Sequence, residues 1–292
     1  MDTPVSDIES PTGTFEHVRG RLFSLAYRML GSRAEAEDVV QESYVRWHQA
    51  DQAAIRNPEA WLVTTATRLA IDRLRALKTQ REVYKGPWLP EPMISDVPPP
   101  DHAVSLADDL SIAFLVLLER LSPEERAAFL LHDVFDRDYD EIAGTLGKNE
   151  AAVRQVVHRA RARVRRDRAR FEVTEAARVR LLRTFVAAVE ARDEQTLLGL
   201  FAPDAVWTSD GGGRVLAAGR PLVGPAEIVK LLLWLRKQAL EQEATLHFVT
   251  VNGEAGLCVR ADGHVRSVWS VETDGERIHA VYAVVNPEKL PA

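Results

Sequence analysis

Apolar residues recur at helical spacing over the first third of the chain, and they predict three helices. The first pattern ends at Gly31, the second begins at Ser32 or Arg33, and the third begins after Asn57 with Pro58 at its first helical position. The clearest apolar positions are Phe15, Val18, Leu22, Leu25, Ala26, Met29, Ala36, Val39, Val40, Tyr44, Trp47, Trp61, Leu62, Leu69 and Leu74. We therefore predict an all-α domain over residues 14–85, after a disordered start at 1–13.

A proline-rich stretch over residues 86–105 interrupts this pattern. Six prolines fall between Pro87 and Pro100, so neither helix nor sheet is expected there and the stretch is interpreted as a linker. Trp88 lies among these prolines, and because an exposed tryptophan is costly we expect it to dock on the first or the third domain.

A second helical domain follows over residues 106–172. Its Ser122-Pro123-Glu124-Glu125 segment is a capping box with proline just inside the helix. Farther on, Gly147 separates two amphipathic segments, where a left-handed residue must end a helix, and Asn149 can cap the next one. The buried positions expected on either side are Ile142, Ala143, Leu146, Val153, Val156 and Val157. This spacing predicts a helix-turn-helix whose recognition helix covers about residues 149–163.

The third region, residues 175–292, changes from helical to strand-like periodicity. Helices are predicted over 177–191, 194–201 and 225–239, and strands over 205–209, 245–252, 257–260, 265–273 and 277–285. Hairpin turns are predicted at Asn252-Gly253, Asp262-Gly263 and Asp274-Gly275. Helices followed by a meander of strands indicate an α+β domain with an antiparallel sheet.

Charge and cysteine content narrow the function. The chain has 292 residues and a net charge of −6, so the arginine-rich stretch after Gly147 is a local basic excess rather than background composition. Side chains suited to base edges and phosphates are Arg154, Gln155, His158, Arg159 and Arg161, which predict DNA binding. The single cysteine, Cys258, excludes an intramolecular disulfide and cysteine-rich metal sites. No apolar run is long enough for a membrane span, and we expect a cytoplasmic protein without a cofactor or metal.

The helical part of the chain resembles the bacterial extracytoplasmic-function (ECF) sigma factors. The segment from Ala36 to Tyr44 is similar to their polymerase-binding helix, the segment from Trp61 to Arg75 to the helix that reads the minus-ten element, and the helix-turn-helix to the domain that reads the minus-thirty-five element. The resemblance implies core RNA polymerase, through its β′ and β subunits, and promoter DNA as partners. It assigns polymerase binding to Glu37, Asp38, Gln41 and Glu42, and promoter contacts to Arg68, Arg73 and Arg75.

Two of these assignments have ordinary alternatives. The acidic residues of the second helix could form a solvated face instead of docking on a basic polymerase surface. Trp61 is read as a core residue more readily than as a platform for an unpaired base. Arg68 stands where many family members carry asparagine, which affects the base preferred at the minus-ten element.

The third region resembles the SnoaL-like domain, which one sigma-factor subgroup carries at its C-terminus. Three short motifs support this subgroup: Trp88, Leu89, Pro90, Glu91 and Pro92; Asp210, Gly211, Gly212, Gly213 and Arg214; and Asn286, Pro287, Glu288, Lys289 and Leu290. The resemblance implies two all-α sigma domains and an α+β SnoaL-like cone that controls the sigma factor in cis. We expect the glycine-rich loop to contact the sigma domains through Asp210 and Arg214.

Two other functions are weighed beside this one. A cyclase- or isomerase-like enzyme would need a carboxylate or histidine in an apolar pocket, and the candidates are Asp204, His247, His264 and His279. None of them forms a recognisable pair in the sequence, so we expect no enzymatic activity. The other function is ligand sensing, for which Trp207, Trp234 and Trp269 could line a cone that holds a small apolar ligand. Ligand sensing is compatible with the sigma-factor interpretation.

Overall fold

The structure is a computed structural model that describes residues 11–96, 110–167 and 173–291. Its described residues divide into two compact units. The first contains residues 11–82 and 117–167, so most of each predicted helical domain lies in it. The second contains residues 83–96, 110–116 and 173–291, and therefore combines part of the proline-rich linker and the start of the second helical domain with the third domain. The disordered start was predicted over residues 1–13; residues 11–13 are helical instead, and residues 1–10 lie outside the described residues.

Three long helices form the first half of the first unit. They are α1 (Pro11–Leu30), α2 (Arg33–Gln49) and α3 (Pro58–Arg81). The sequence predicted each of them, although α1 begins three residues earlier than expected. The Asn57 side chain accepts a hydrogen bond from the Ala60 amide at 3.0 Å, and Pro58 occupies the first turn of α3. Leu22, Leu25 and Leu62 are fully buried between the helices, which is why the apolar positions recur every three or four residues.

Four shorter helices form the second half of the helical region. They are α4 (Ile112–Leu118), α5 (Pro123–Asp133), α6 (Tyr139–Leu146) and α7 (Glu150–Asp167). The predicted capping box is confirmed: Ser122 Oγ accepts from the Glu125 amide, and the Glu125 carboxylate accepts from the Ser122 amide. The helix α7 continues four residues beyond the predicted recognition helix.

The third domain contains three helices and a seven-stranded sheet. The helices are α8 (Glu175–Ala191), α9 (Glu194–Leu200) and α10 (Pro225–Glu241). The strands are β1 (Ile94–Ser95), β2 (Phe201–Asp210), β3 (Leu222–Val223), β4 (Thr245–Val251), β5 (Glu254–Ala261), β6 (His264–Thr273) and β7 (Ile278–Val284), in the order β1-β4-β5-β6-β7-β2-β3. Residues of α8 and α10 pack on the strands around Phe185, Trp207 and Trp269, whose burial makes this the core of the domain.

Two features of the sheet correct the sequence prediction. The sheet is mixed, because β2 pairs in parallel with β7 while its other pairs are antiparallel. The linker also contributes a strand: Ile94 pairs with Val251 and Ser95 with Thr250. These two residues lie in a proline-free gap of the linker, and β1 occupies an edge of the sheet, where prolines on either side interrupt no ladder. Among the described residues, no helix is long and apolar enough to cross a membrane.

Candidate nucleic-acid interface and linker anchor

The helix-turn-helix has the predicted geometry. Gly147 ends α6 with φ 64° and ψ 34°, a left-handed conformation that glycine adopts at little cost. The Asn149 side chain then accepts a hydrogen bond from the Ala152 amide at 2.8 Å and so caps α7. Ile142, Val153 and Val157 are fully buried between the two helices. This packing fixes the inner face of α7 and leaves its basic face outside.

The outer face of α7 presents the predicted base-reading side chains. Arg154 is exposed, forms an ion pair with Glu150 and lies over the Tyr139 ring, with its guanidinium carbon 4.5 Å from the ring centroid. Three more side chains are exposed and make no hydrogen bond to another described residue: Gln155, His158 and Arg159. The polar face of α7 is therefore continuous and available to a groove.

Farther along α7, the basic side chains are held by carboxylates of α5. Arg161 donates to Asp133 at 2.8 Å, and this hydrogen bond raises the pKa of the Arg161 guanidinium. Arg163 donates to Glu125 at 2.7 Å. Both arginines are fixed in orientation, which suits contact with phosphates better than reading of bases.

The predicted minus-ten residue Arg68 contacts the helix-turn-helix itself. Its guanidinium donates to the carbonyl oxygens of Gly144 at 2.8 Å and Thr145 at 2.9 Å, and Thr64 and Thr145 share a hydroxyl hydrogen bond of 3.0 Å. These carbonyls belong to the last turn of α6, which has no intrahelical donors for them and carries partial negative charge. The predicted minus-ten helix α3 therefore lies against α6, the first helix of the helix-turn-helix, within the first unit.

The other predicted minus-ten arginines are also paired within this unit. Arg73 forms an ion pair with Glu35 of α2, and Arg75 pairs with Asp72 at 3.0 Å. Arg75 also reaches Glu124 of α5 at 3.0 Å. Trp61 packs on Trp47 with ring centroids 5.7 Å apart. Its half-buried position agrees with the core interpretation.

A buried charge cluster that the sequence reasoning missed lies nearby. Glu119 accepts from Arg81 at 2.5 Å and from Arg126 at 2.7 Å, and Arg126, which is 1% exposed, also donates to the Met29 carbonyl at 2.7 Å. Burial alone would raise the pKa of Glu119, but the two guanidinium groups hold it below its ordinary value. The available signal was the position of Arg126, which lies one turn before Phe129 on the inner face of α5.

The predicted polymerase-binding residues lie on the outer face of α2. Asp38 and Gln41 are exposed and make no hydrogen bond to another described residue. Glu37 and Glu42 each pair with an arginine of the same domain, at 3.4 and 2.9 Å respectively. The face is thus acidic, and only two of its four polar side chains have an ion-pair partner within the described part of the domain. It remains accessible to a basic partner.

In the second unit, the three sequence motifs meet at one buried carboxylate. Asp210 is 0% exposed, and its carboxylate accepts four hydrogen bonds. The donors are the Tyr84 hydroxyl at 2.6 Å, the Leu89 amide at 2.8 Å, the Lys289 ammonium at 2.7 Å and the Gly212 amide at 3.0 Å. We call these residues, together with Asn286, the linker anchor.

Lys289 connects the tail of the domain to the linker. Besides Asp210, its ammonium donates to the Leu89 carbonyl at 2.6 Å and lies 4.2 Å from the centroid of the Trp88 ring. Asn286, which is 1% exposed, donates to the Tyr84 hydroxyl at 3.0 Å. The structure therefore places Trp88 on the third domain, the second of the two docks considered from the sequence.

The remaining motif residues surround this cluster. Gly212 has φ 59°, and a Cβ there would collide with the Asn286 amide, so both the backbone and the space require glycine. Arg214 forms an exposed ion pair with Glu288 at 2.7 Å. Pro90 and Pro92 are buried, Glu91 and Leu290 are half-buried, and Pro287 is exposed. The described contacts of Asp210 and Arg214 are with the linker and the tail, and contact with the sigma domains stays a prediction.

The enzymatic candidates are scattered over the third domain. Asp204, His247 and His264 are exposed, and half-buried His279 is hydrogen-bonded to Asp274 at 2.9 Å. Trp207 and Trp269 belong to the core, where the Trp207 indole donates to Ser209 at 2.7 Å. Trp269 also lines a cleft, together with Trp234. In the described part of the chain, no group of three His, Cys, Asp or Glu residues could hold a metal ion.

Three family models match successive parts of the chain. Sigma-70 region 2 matches residues 14–80, sigma-70 region 4 matches residues 111–164, and the SnoaL-like domain matches residues 182–286. These matches follow the two halves of the helical region and the mixed-sheet domain described above.

Whole-length relatives share this arrangement. The chain is 36% identical to the ECF RNA polymerase sigma factor SigJ of Mycobacterium tuberculosis, over 94% of the chain and 92% of that protein. It is 35% identical to the probable ECF RNA polymerase sigma factor SigI of the same organism, over 93% of the chain and 92% of the relative. The crystal structure of M. tuberculosis SigJ superposes with a TM-score of 0.76 at 34% identity, covering 95% of this chain and 97% of that one.

Proposed function

Because the chain belongs to the ECF RNA polymerase sigma factors, we propose that it binds core RNA polymerase, reads the minus-thirty-five and minus-ten elements, and is controlled in cis by its SnoaL-like domain. The observation that carries the control in cis is the linker anchor, in which a fully buried carboxylate of the third domain holds the linker between the two sigma domains.

The outer face of α7 supports minus-thirty-five recognition. Arg154, Gln155, His158 and Arg159 project from a helix whose inner face is fixed by packing, the arrangement that places side chains against base edges in a major groove. Arg161, held by Asp133, is assigned to the phosphate backbone.

The exposed face of α2 supports polymerase docking. Asp38 and Gln41 offer acceptors without a hydrogen-bond donor from the described residues, and Glu37 and Glu42 have arginine partners that a basic polymerase surface could replace. We assign this face to the β′ subunit, and the helix-turn-helix domain to the β subunit.

Promoter binding requires the first unit to open. The two elements lie about 25 base pairs apart, which is roughly 85 Å at 3.4 Å per base pair. Arg68 of α3 is nevertheless hydrogen-bonded to the last turn of α6. In this arrangement α3 and the helix-turn-helix cannot occupy the minus-ten and minus-thirty-five elements at the same time. We therefore interpret the arrangement as a closed state, whose population polymerase or a signal would reduce.

The linker anchor supports the control of this opening. Tyr84 follows the last residue of α3 by three positions, and the anchor holds the segment from Tyr84 to Leu89 on the third domain. The same segment is part of the covalent connection between the two sigma domains. A domain that fastens it restricts how far the sigma domains can separate.

The test is run-off transcription with purified core RNA polymerase on a promoter library. It compares the full chain, a truncation after residue 170 and a deletion of residues 286–292, which removes Lys289 and Asn286 from the anchor. Sequence-selective initiation whose level changes on truncation supports the proposal. Absence of initiation from every form, with no binding to core polymerase in a pull-down, overturns it.

We also propose a small apolar ligand for the SnoaL-like domain. The observation that favours it is the cleft lined by Trp234 and Trp269. Such a ligand would act as the signal for control in cis.

A further inference from the structure

The cleft in the third domain has a volume of about 1300 Å³. One wall is the C-terminal half of α10, and the other consists of the adjoining ends of β4, β5 and β6. Leu216 and Trp234 lie at its mouth and are 83% and 45% exposed, although they are large apolar side chains. A cleft of this size with exposed apolar residues at its mouth can take up a small organic molecule.

An ordered row of side chains covers the strand side of the cleft. Leu246 pairs with Val259, and Val259 pairs with Ser267, so these three residues form one row across β4, β5 and β6. Trp269 follows Ser267 by two positions and therefore points to the same face of the sheet. This row is apolar except for the Ser267 hydroxyl, which makes no hydrogen bond to another described residue although Ser267 is buried.

The helix side of the cleft contributes a cation without a partner. Arg236 lies one turn after Leu232 and one turn before Ala239, and all three line the cleft. Its Nε is buried and has no hydrogen-bond partner, and the side chain forms no ion pair with another described residue. A buried donor on a charged group is costly when it is left unsatisfied, so the site favours an occupant that supplies an acceptor.

The other charged residues that line the cleft are exposed to solvent. Arg266 is paired with Asp262 at 3.4 Å, and both side chains are more than half exposed. The remaining acidic residues are exposed at the mouth: Glu190, Glu241 and Glu243. Arg236 is thus the unpaired cation among the described lining residues, and the apolar row lies opposite its helix.

We propose that this cleft binds a small amphipathic carboxylic acid. Its carboxylate accepts hydrogen bonds from Arg236, and its apolar body lies along Leu246, Val259 and Trp269. A guanidinium and a carboxylate form charge-assisted bonds of matched geometry, which are stronger than neutral ones. Ser267 can donate a further hydrogen bond.

The cleft is also connected to the linker anchor, and in this respect the proposal rests on control in cis. Val215 and Leu216 line the cleft directly after Arg214, and Val285 lines it directly before Asn286. The Val285 amide donates to the Asp210 carbonyl at 2.8 Å. A ligand against Val285 therefore touches the same backbone that positions Asp210, and its occupancy changes the stability of the anchor.

Binding is tested by isothermal titration calorimetry on the full purified chain, without polymerase, so the result does not depend on the proposed transcription function. The probes are decanoate and 2-naphthoate, which distinguish an aliphatic from an aromatic body, with decanol as the neutral control. We expect at least one carboxylate to bind more tightly than decanol. Arg236→Met should weaken that binding by about 10- to 100-fold.

The matched control is Arg266→Met, which removes the same charge from the same cleft at an exposed, paired position. It should change the affinity by less than about threefold, as expected for an exposed pair. Thermal melting of both variants verifies that they fold. Lack of binding of both acids, equal binding of decanol, or equal losses in the two arginine variants would each overturn the proposal.

Coupling to the anchor is tested by hydrogen exchange on the full chain with and without the carboxylate that binds. We expect exchange in the peptides that contain Leu89 and Val285 to change, while peptides of α2 stay constant. Binding without any change in these two peptides would refute the coupling.

Discussion

Replacing Asp210 by asparagine is the sharpest test of the linker anchor. One carboxylate oxygen accepts from the Leu89 amide and the Lys289 ammonium, and the other accepts from Tyr84 and Gly212. An asparagine NH₂ in either orientation would face two donors. At least two hydrogen bonds to a charged group are therefore lost at a fully buried position, which corresponds to about 3–5 kcal/mol.

This loss should appear as release of the linker. Native-state hydrogen exchange at the Leu89 amide measures the free energy of that local opening. A loss of about 3 kcal/mol accelerates exchange by more than about 100-fold. The same variant should change run-off transcription in the direction of the deletion of residues 286–292, since both remove the ion pair between Asp210 and Lys289.

The matched control is Asp262→Asn, which makes the same chemical change in a side chain that is 81% exposed and paired with Arg266 at 3.4 Å. Its effect on stability should stay below about 1 kcal/mol. If Asp210→Asn leaves exchange at Leu89 within threefold of the unaltered protein, the anchor does not hold the linker and the reasoning from burial and charge is wrong.

Three further predictions concern other parts of the chain. Arg68→Ala should raise the ratio of open to closed molecules by about 5- to 30-fold, because it removes two hydrogen bonds to α6; a fluorescence distance measurement between α2 and α7 detects this change. Arg73→Ala is the control, because its partner lies on α2, and it should leave the ratio unchanged. Equal shifts in the two variants would contradict the closed state. Arg159→Ala should lower discrimination at one base position of the minus-thirty-five element by about 1–3 kcal/mol in a competition binding assay, whereas a uniform loss across all sequences would make it a phosphate contact. Burial alone would raise the pKa of Asp274, but hydrogen bonds from His279 and two backbone amides lower it to about 2. The stabilisation by Asp274 should therefore be complete above its ordinary pKa near 4 and disappear as the pH falls towards 2. The melting temperature of Asp274→Asn should accordingly lie below that of the unaltered protein at pH 6 and match it near pH 2, and a constant difference would refute the assignment.

Local signals in the sequence were sufficient for the elements that local physics determines. Three such elements are the positive φ at Gly147, the cap at Asn149 and the capping box at Ser122. Each of them depends only on residues within four positions of its own place in the chain. The ECF family and the SnoaL-like fold, inferred from short motifs, are confirmed by the family models and by the whole-length relatives.

Long-range pairings could not be read in the same way. The contact between Leu89 and Lys289 joins residues 200 positions apart, and β1 exists only because Ile94 meets the edge strand β4. The parallel pairing of β2 with β7 has no signature in either strand, since alternation is the same in both directions. The sequence marked Asp210 as a polar anchor and Asn286 as part of a tail motif, but it did not indicate Tyr84, the residue that joins them.

The separation between Leu89 and Lys289 also has a consequence during synthesis of the protein. At about 5–20 residues per second, the ribosome needs roughly 10–40 s to add the 200 residues between them. Once α7 has been made within that interval, the helices of both sigma domains can fold, while the residue that fastens their connecting segment does not yet exist. Each newly made molecule therefore passes through a period in which it is an unrestrained sigma factor, and restraint is acquired only as translation nears Lys289.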